Sequence, residues 1–264
     1  PIAKYGRLHD RLTKEYPNLP LHRPPAALDR QLLRVHSPSY VNAVITGQLS
    51  PQAIRRIGFP WSRELVERSR RSVGASLAAA RSATKTGRGV NLAGGTHHAG
   101  RDYGAGYCVF NDVAVAARAM QTEGRAQHML IIDLDVHQGD GTASIFVDDS
   151  TVTTVSVHGE HNYPFRKIPG DVDIALPDGT GDETYLFAVA DALKKGLDRA
   201  HADLVFYVAG ADPFIDDKLG RLSISKDGLE ERDRLVFQAC DQWGLPVATV
   251  MGGGYGSVQS GLGS

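Results

Sequence analysis

Hydrophobic positions occur in two patterns along this chain, and together they predict alternating strands and helices. Short apolar runs bounded by glycine or polar residues predict buried strands over 90–93, 129–132, 152–157, 204–208 and 247–251. Amphipathic patterns between them predict helices over 111–122, 182–202 and 226–243. This alternation favours a three-layer α/β/α fold, in which helices cover both faces of a central, mostly parallel sheet.

The first 60 residues predict further helices, interrupted by prolines. Ser37 and Pro38 provide an N-cap and a first-turn proline for a helix that ends at Gly47. Ser62 is placed to cap a long helix that runs to about residue 83. The 264 residues show neither repeats nor low-complexity tracts, so we expect a single domain over 1–264.

Composition excludes several classes of function. The formal net charge is -1, so no overall field would attract nucleic acid or an anionic membrane. The sequence shows no secretory leader and no apolar run long enough to span a bilayer. Its two cysteines, Cys108 and Cys240, form no disulfide framework and suit a reducing compartment. We therefore expect a cytoplasmic protein that binds neither nucleic acid nor membrane, and the sequence leaves its oligomeric state open.

The segment 128–141 has the densest group of chemically active residues. An apolar run leads into Asp133, Asp135 and His137, and strand alternation would place these three side chains on one face. Leu134 and Val136 would then face the other way. Two carboxylates and an imidazole at the end of an apolar strand are costly to bury unless a cation or a hydrogen-bonded partner neutralises them. A bound metal ion is the simplest explanation.

Asp212 follows another predicted strand and is our third candidate ligand, with Asp135 and His137. In open parallel sheets, ligands bind beyond the carboxyl ends of the strands, where these residues all lie. Three protein ligands and an open position are typical of a catalytic metal site. Since Asp-Pro often opens a turn, a turn residue is the alternative interpretation of Asp212.

Two adjacent histidines, His97 and His98, follow a pair of glycines at the end of a predicted strand. A catalytic histidine generally needs an acceptor for its second ring nitrogen, and Asp133 and Asp140 remain for that role. The pattern predicts two histidine–aspartate pairs. Tyr255 follows three glycines and is a candidate hydrogen-bond donor to a developing oxyanion, with an ordinary loop tyrosine as the alternative.

The glycines do not indicate a nucleotide site. The segment 252–256 is only a partial G-x-G, with Ser257 at the position of the third glycine. The phosphate-binding pattern G-x-x-x-x-G-K-[ST] does not occur in the sequence.

In this order, the clusters resemble the histone deacetylase superfamily, which has the arginase/deacetylase fold. Residues 158–170 and 219–222 look most like bacterial proteins related to the class IV deacetylases. The resemblance covers roughly residues 30–256 and is carried by Gly94-Gly95-Thr96-His97-His98-Ala99, Gly106-Tyr107-Cys108-Val109-Phe110-Asn111-Asp112, Asp133-Leu134-Asp135-Val136-His137-Gln138-Gly139-Asp140-Gly141, Gly210-Ala211-Asp212 and Gly252-Gly253-Gly254-Tyr255.

The resemblance implies a catalytic metal ion, zinc or ferrous iron, held by Asp135, His137 and Asp212. It also implies a structural potassium ion. The residues of that second site would be Asp133, Asp135 and His137 through their main-chain carbonyls, the Ser156 hydroxyl, and Val157.

For catalysis, the resemblance implies that His98, supported by Asp140, is the general base and acid. His97, supported by Asp133, would be its electrostatic partner, and Tyr255 would bind the carbonyl oxygen of the substrate.

The resemblance also implies a channel for an acylated lysine side chain. Tyr107 would form an aromatic wall of that channel, with Gly106 beside it. Leu219 would line an apolar pocket.

Four features depart from the family pattern. We expect the usual first strand and the usual final helix to be absent from 1–264. Gln138 replaces a histidine that is common in eukaryotic members, and we expect it to face away from the ligands with little consequence. The segment before His97 has no counterpart of the acidic loop with which eukaryotic members hold a peptide backbone.

The leading hypothesis is a metal-dependent amidohydrolase that removes the acyl group from an N-ε-acyl-lysine of a protein or peptide, by means of a metal-activated water. The first alternative is an amidohydrolase for acetylpolyamines or other small acylated amines. More distant alternatives are a binuclear manganese hydrolase of arginase type and a catalytically silent binding module. Acyl length is left open, and relatives of class IV suggest that long chains are accepted.

Overall fold

A six-stranded parallel sheet forms the centre of the computed structural model, which describes residues 3–256. Its strands lie in the order β1-β6-β5-β2-β3-β4, and every neighbouring pair is parallel. Since all six strands run in the same direction, their carboxyl ends share one edge of the sheet. The strands are β1 (Arg88–Asn91), β2 (Met129–Asp133), β3 (Val152–Gly159), β4 (Val172–Leu176), β5 (Leu204–Gly210) and β6 (Val247–Gly252).

Helices cover both faces of this sheet and form the N-terminal portion of the chain. The described helices are α1 (Ala3–Glu15), α2 (Asp29–Leu32), α3 (Pro38–Thr46), α4 (Pro51–Ile57), α5 (Arg63–Thr86), α6 (Asp112–Thr122), α7 (Asp140–Phe146), α8 (Asp182–Ala200) and α9 (Lys226–Gln242). The helices α5 and α6 pack on one face, and α8 and α9 pack on the other. The structure is therefore a three-layer α/β/α domain, as the sequence predicts.

Strand β2 shows how the sequence produces two cores. Met129 and Ile131 belong to the core beneath α5 and α6, whereas Leu130 and Ile132 belong to the core beneath α8 and α9. Every residue of β2 is buried, because the strand lies inside the sheet between β3 and β5. A continuous apolar run is what a strand covered on both faces requires.

The predicted caps are present, and the predicted boundaries differ by a few residues. The hydroxyls of Ser37 and Ser62 accept hydrogen bonds from the first turns of α3 and α5, and Gly47 ends α3 with a left-handed conformation. Strand β1 lies earlier than the predicted 90–93. It stops at Asn91 because the side chain of this residue accepts a hydrogen bond from Ala93 N (3.0 Å), which begins a turn. The sequence patterns missed α7 and the half-exposed strand β4.

Among the helices within residues 3–256, none combines the length and the apolarity of a bilayer-spanning segment. The expected lack of a final helix concerns 257–264, which lie outside the described residues.

Buried His36 is a built-in source of pH-dependent stability. It lies between α2 and α3, where its Nδ1 donates to Gly100 O (2.9 Å) and its Nε2 accepts from Asn111 N (3.0 Å). One ring nitrogen donates and the other accepts, so this arrangement fits the neutral imidazole only. Accordingly, burial lowers the pKa of His36 from 6.5 to about 4.

We expect the fold to lose stability as the pH falls from 6.5 towards 4, because His36 then binds a proton in the unfolded chain but not in the folded protein. From His36 alone the loss is about 2 kcal/mol by pH 5. Urea unfolding of the wild type and of His36→Gln, at pH 7.5 and at pH 5, isolates this contribution. The glutamine variant should be less stable at pH 7.5 and should lose less on acidification. Equal losses in both proteins would contradict the assignment.

Candidate active site

The polar residues that follow β2, β5 and β6 meet at the carboxyl edge of the sheet. In the strand register, Asp133 of β2 lies beside Val208 of β5, and Gly210 of β5 lies beside Gly252 of β6. Segments that are distant in the sequence therefore continue from adjacent strand ends. This convergence places His97, His98 and Tyr255 around a single cavity of about 1680 Å³, with Asp133 and Asp140 behind the two histidines.

Asp135, His137 and Asp212 form a compact buried cluster whose potential ligand atoms lie within 4.8 Å of one another. His137 Nδ1 lies 2.9 Å from Asp135 Oδ1 and 3.2 Å from Asp212 Oδ2. Asp212 is 0% exposed, and its Oδ2 has no hydrogen-bond partner among the described residues. Two carboxylates and an imidazole that face one another, with one buried oxygen unsatisfied, fit a divalent cation.

The strand alternation proposed for 133–137 is wrong in its detail, because β2 ends at Asp133. Leu134 N still donates to Val208 O (3.1 Å), but beyond it side-chain carboxylates become the acceptors. Asp135 N donates to Asp133 Oδ1 (3.1 Å) and His137 N to Asp135 Oδ1 (3.0 Å). These local bonds compete with strand pairing. The separation of faces persists nonetheless, since Leu134 and Val136 pack in the core beneath α8 and α9.

The buried charges of this cluster shift the pKa values of its members. Burial alone would lower the pKa of His137, but its hydrogen bond to Asp135 and the nearby carboxylate of Asp212 raise it to about 10. Burial raises the pKa of Asp212, and the neighbouring charge of Asp135 raises it further. Two buried carboxylates this close repel each other, so the site favours a positive charge between them.

The structure decides which histidine pairs with which aspartate. His97 Nδ1 lies 2.6 Å from Asp133 Oδ2, and His98 Nδ1 lies 2.6 Å from Asp140 Oδ1. A carboxylate can only accept, so in each pair Nδ1 is the proton donor and Nε2 is left for other chemistry. Both pairings agree with those that the family resemblance implies.

The two histidines differ in charge. Burial disfavours the cation of His97, but the charges of Asp133 and Asp135 outweigh burial and raise its pKa to about 9. Burial, followed by the positive charges of His97 and His137, holds the pKa of His98 well below 6.5. Near neutral pH, His97 therefore carries a proton on both nitrogens and His98 has a free base at Nε2.

The start of α6 holds the histidine loop in place. Asp112 is fully buried, and its Oδ1 accepts hydrogen bonds from Thr96 N (2.7 Å) and Thr96 Oγ1 (2.6 Å). Asn111 caps α6 through Ala114 N and donates to Ala99 O (3.1 Å). These contacts fix the backbone on both sides of the two histidines. Asn111 and Asp112 stand in the sequence motifs, but only the structure shows this supporting role.

Tyr255 lies at the cavity after the glycines that end β6. Gly253 has φ of +39°, and a Cβ there would collide with the carboxylate of Asp212, so this position requires glycine. Burial, and then the charges of Asp135 and Asp212, raise the pKa of Tyr255. Its phenol therefore remains protonated and able to donate a hydrogen bond.

Aromatic side chains line the outer mouth of the cavity. Tyr107, which follows Gly106, is 46% exposed, and its ring lies 5.1 Å from that of Phe59 and 6.2 Å from that of Tyr255. Tyr163 packs edge-on to His98, with ring centroids 4.9 Å apart. Leu219, 44% exposed, also lines the cavity. The position of Tyr107 and Leu219 is compatible with their predicted channel roles. Phe59 and Tyr163 had no sequence signal of their own.

Lys4 of α1 also lies at the site, and the sequence patterns did not predict it. Its Nζ donates to Gly253 O and lies 5.7 Å from the centre of the Tyr255 ring. Burial lowers the pKa of Lys4, and the charges of Asp212 and Asp135 oppose that shift. A cation from the N-terminal helix thus supports the glycine segment beside the metal cluster.

Arg232 of α9 was likewise not predicted from the sequence, and it binds the backbone that carries the metal cluster. It is 3% exposed, and its Nη1 donates to Gly210 O (2.5 Å) and more weakly to Leu134 O (3.4 Å). Both carbonyls lie within two residues of a candidate ligand, Asp212 or Asp135. An arginine in a predicted amphipathic helix normally suggests an exposed face, so the sequence offered no signal for this position.

The predicted potassium site stays a prediction. The register of β2 and β3 places Asp133 beside Ser156, so two of its predicted residues are adjacent, with Val157 next along β3. The Ser156 hydroxyl lies 2.9 Å from His158 Nδ1.

Gln138 forms hydrogen bonds that the sequence did not predict. It points away from the ligands, as expected. Its side chain, however, donates to Ile168 O (2.8 Å) and Asp173 Oδ1 (2.9 Å) and accepts from Ile168 N (2.9 Å). Gln138 therefore connects the metal-site segment to the loop that leads into β4.

The fold and the cluster together define an α/β protein with a candidate metal centre at the carboxyl edge of its sheet. Comparison with known proteins identifies the family. A model of the histone deacetylase domain matches residues 2–261 of this chain. The chain belongs to the histone deacetylase family.

Individual relatives agree with this assignment. An uncharacterized protein of Picosynechococcus sp. is 46% identical over 257 residues, which are 97% of this chain and 86% of that protein. Histone deacetylase 2 of Arabidopsis thaliana is 32% identical over 235 residues, 85% of this chain and 60% of that protein. The acetoin utilization protein AcuC of Bacillus subtilis is 31% identical, and the match covers 88% of this chain and 66% of that protein.

Solved structures confirm the fold. The crystal structure of an HDAC homolog complexed with SAHA gives a TM-score of 0.82 at 24% identity, over 94% of this chain and 72% of that chain. The HD domain of HDA15 gives a TM-score of 0.81 at 24% identity, over 97% of this chain and 79% of that chain.

Proposed function

We propose that this protein is a metal-dependent amidohydrolase that removes the acyl group from N-ε-acyl-lysine in a protein or peptide. The observation that carries the proposal is the buried cluster of Asp135, His137 and Asp212 beside two histidine–carboxylate pairs and a tyrosine, with both paired histidines and the tyrosine lining one cavity. Membership of the histone deacetylase family supports a deacetylase activity. The structural relative that was crystallised with SAHA supports an acylated amine as the substrate class.

Asp135, His137 and Asp212 would hold the metal, which we propose is zinc or ferrous iron. A divalent ion at such a site polarises an amide carbonyl and lowers the pKa of water towards neutrality. The three side chains are buried and already face one another, so they need little rearrangement to bind it.

His98 supplies the proton transfers. Its Nε2 is unprotonated near neutral pH, because burial and then the adjacent positive charge of His97 hold its pKa low. It accepts the proton of the attacking water and then delivers a proton to the leaving amine. Asp140 holds the ring by its other nitrogen throughout, so Nε2 stays directed at the reaction.

Two neighbours stabilise the negative charge that develops on the carbonyl oxygen. The Tyr255 phenol donates a hydrogen bond to this oxygen, as donors of an oxyanion hole do. The cation of His97 lies next to His98, with ring centroids 4.2 Å apart, and contributes an electrostatic attraction.

An acetyl-lysine peptide and an acetylpolyamine, assayed on enzyme of defined metal content, test the proposal. Chelation should abolish deacylation of the peptide, and zinc or ferrous ions should restore it, with one ion per chain by elemental analysis. Two essential ions per chain would instead favour the arginase-type alternative. Turnover of the acetylpolyamine alone would favour the small-molecule alternative. If metal-loaded protein turns over neither substrate, the result would favour the catalytically silent binding module.

The proposal also places the protein in the cytoplasm. Cys108 and Cys240 are both unpaired and buried, which suits a reducing compartment.

A further inference from the structure

Four cationic side chains stand on two sides of the outer mouth of the cavity. Arg55 and Arg56 lie in the last turn of α4, and Lys218 and Arg221 lie on either side of Leu219 and Gly220. All four are exposed, and all four line the cavity.

The backbone holds both pairs close to the channel. On one side, Gly106 N donates to Arg56 O (3.2 Å) and Tyr107 N to Ile57 O (2.8 Å), so the end of α4 is tied to the aromatic wall. On the other side, Asn162 donates to Leu219 O (2.7 Å) and accepts from Arg221 N (3.2 Å). The backbone that carries both pairs of cations is therefore held at the mouth.

These charges are mostly unneutralised. Arg221 forms an ion pair with Asp178 (2.9 Å), but within residues 3–256 the other three cations of the mouth make none. Arg56 stacks on the ring of Tyr103 at 3.7 Å, which positions its guanidinium without cancelling the charge.

Carboxylates do not balance the cations. Asp135, deep in the metal cluster, is the one carboxylate among the described residues that line the cavity. Asp217 lies beside Lys218 but does not line the cavity. Its Oδ1 accepts from Leu219 N (2.8 Å) and Gly220 N (3.0 Å), and its Oδ2 accepts from Tyr255 N. The potential at the mouth is therefore positive, although the whole chain has a net charge of -1.

We propose that this mouth selects acyl-lysine peptides whose neighbouring residues are acidic, and that it disfavours substrates with several positive charges. The inference rests on the proposed function, and it names the substrate class for the same site. Clefts that present one sign of charge raise the local concentration and the association rate of ligands of the opposite sign, by about 10- to 1000-fold. Basic peptide tails and acetylpolyamines, which carry the same charge as the mouth, are repelled.

Three peptides with the same acetyl-lysine core, flanked by glutamates, by serines or by lysines, test this inference on the metal-loaded full chain. We expect kcat/KM to fall in that order, with a difference of about tenfold or more between the acidic and the basic peptide. The difference should shrink at high salt, because exposed charges are screened.

Charge reversal at the mouth sharpens the test. The double variant Arg55→Glu/Lys218→Glu should reverse the order of the acidic and basic peptides. Lys194→Glu/Lys195→Glu on α8, which makes the same change in net charge away from the cavity, should preserve the wild-type order.

Equal kcat/KM values for all three peptides in the wild type, or a preference for the basic peptide or an acetylpolyamine, would overturn the inference and leave the deacylase proposal standing. Cleavage of none of the peptides would instead count against the deacylase function itself. The wild-type ranking and its salt dependence decide the question even if the mouth variant fails to fold.

Discussion

Asp212→Asn is expected to abolish deacylation and metal binding while the fold persists. Asparagine keeps an oxygen that accepts the hydrogen bond from Val136 N, which Asp212 Oδ1 accepts at 3.0 Å. It replaces Oδ2, the buried oxygen without a hydrogen-bond partner, by an amide that cannot act as an anionic ligand. The loss in kcat/KM should exceed the roughly 100- to 1000-fold that removal of one oxyanion donor costs, because the metal itself is lost.

Elemental analysis, thermal unfolding and kinetics together check this result. Asp216→Asn is the matched control, since Asp216 is exposed and does not line the cavity. It should retain metal and activity. An Asp212→Asn protein with a stoichiometric metal ion and full turnover would exclude the proposed centre.

His98→Ala is expected to lower kcat by about 100- to 10,000-fold with the metal content unchanged. His98 is the proposed proton carrier and is not a metal ligand, so its loss should slow the chemistry without emptying the site. Its Nε2 is free because Nδ1 is bound to Asp140 at 2.6 Å. The cavity left by the ring can admit a small base from solution.

Added imidazole is therefore expected to restore part of the activity of His98→Ala, measured as kcat over a range of imidazole concentrations and pH. Asp212→Asn is the control that imidazole should not rescue, since it lacks the metal. A His98→Ala protein that turns over at the wild-type rate would show that another group moves the proton. Loss of bound metal in His98→Ala would indicate that His98 acts as a ligand.

The apolar runs were sufficient to predict five of the six described strands and their direction, and only β4 was missed. Buried parallel strands must be apolar on both faces, and 129–132 shows this in the sequence. The polar residues at their ends were equally visible, because a parallel sheet brings its carboxyl ends to one edge. The sequence alone therefore predicted that Asp135, His137 and Asp212 form one group, although positions 135 and 212 lie 77 residues apart.

Other parts of the site had no sequence signal. The end of β2 at Asp133 depends on hydrogen bonds between side chains and backbone that periodicity does not encode. Arg232 appeared to be an ordinary polar residue of an amphipathic helix, yet it is buried against Gly210 O. Lys4, far from the motifs in the sequence, lies against Gly253 O.

By itself, the sequence determined the α/β/α class, the carboxyl edge as the position of the site, and the residue types that meet there. Apolar runs and helical periodicity are local patterns of the chain, and their alternation implies a parallel sheet. The tertiary structure alone decided which atoms face each other. It set the 2.6 Å contact between His98 and Asp140, left Asp212 Oδ2 without a hydrogen bond, and brought the cations of α4 and Lys218 to the same cavity. Such contacts depend on packing between distant segments, and that packing sets the distances and the burial on which charge and reactivity depend.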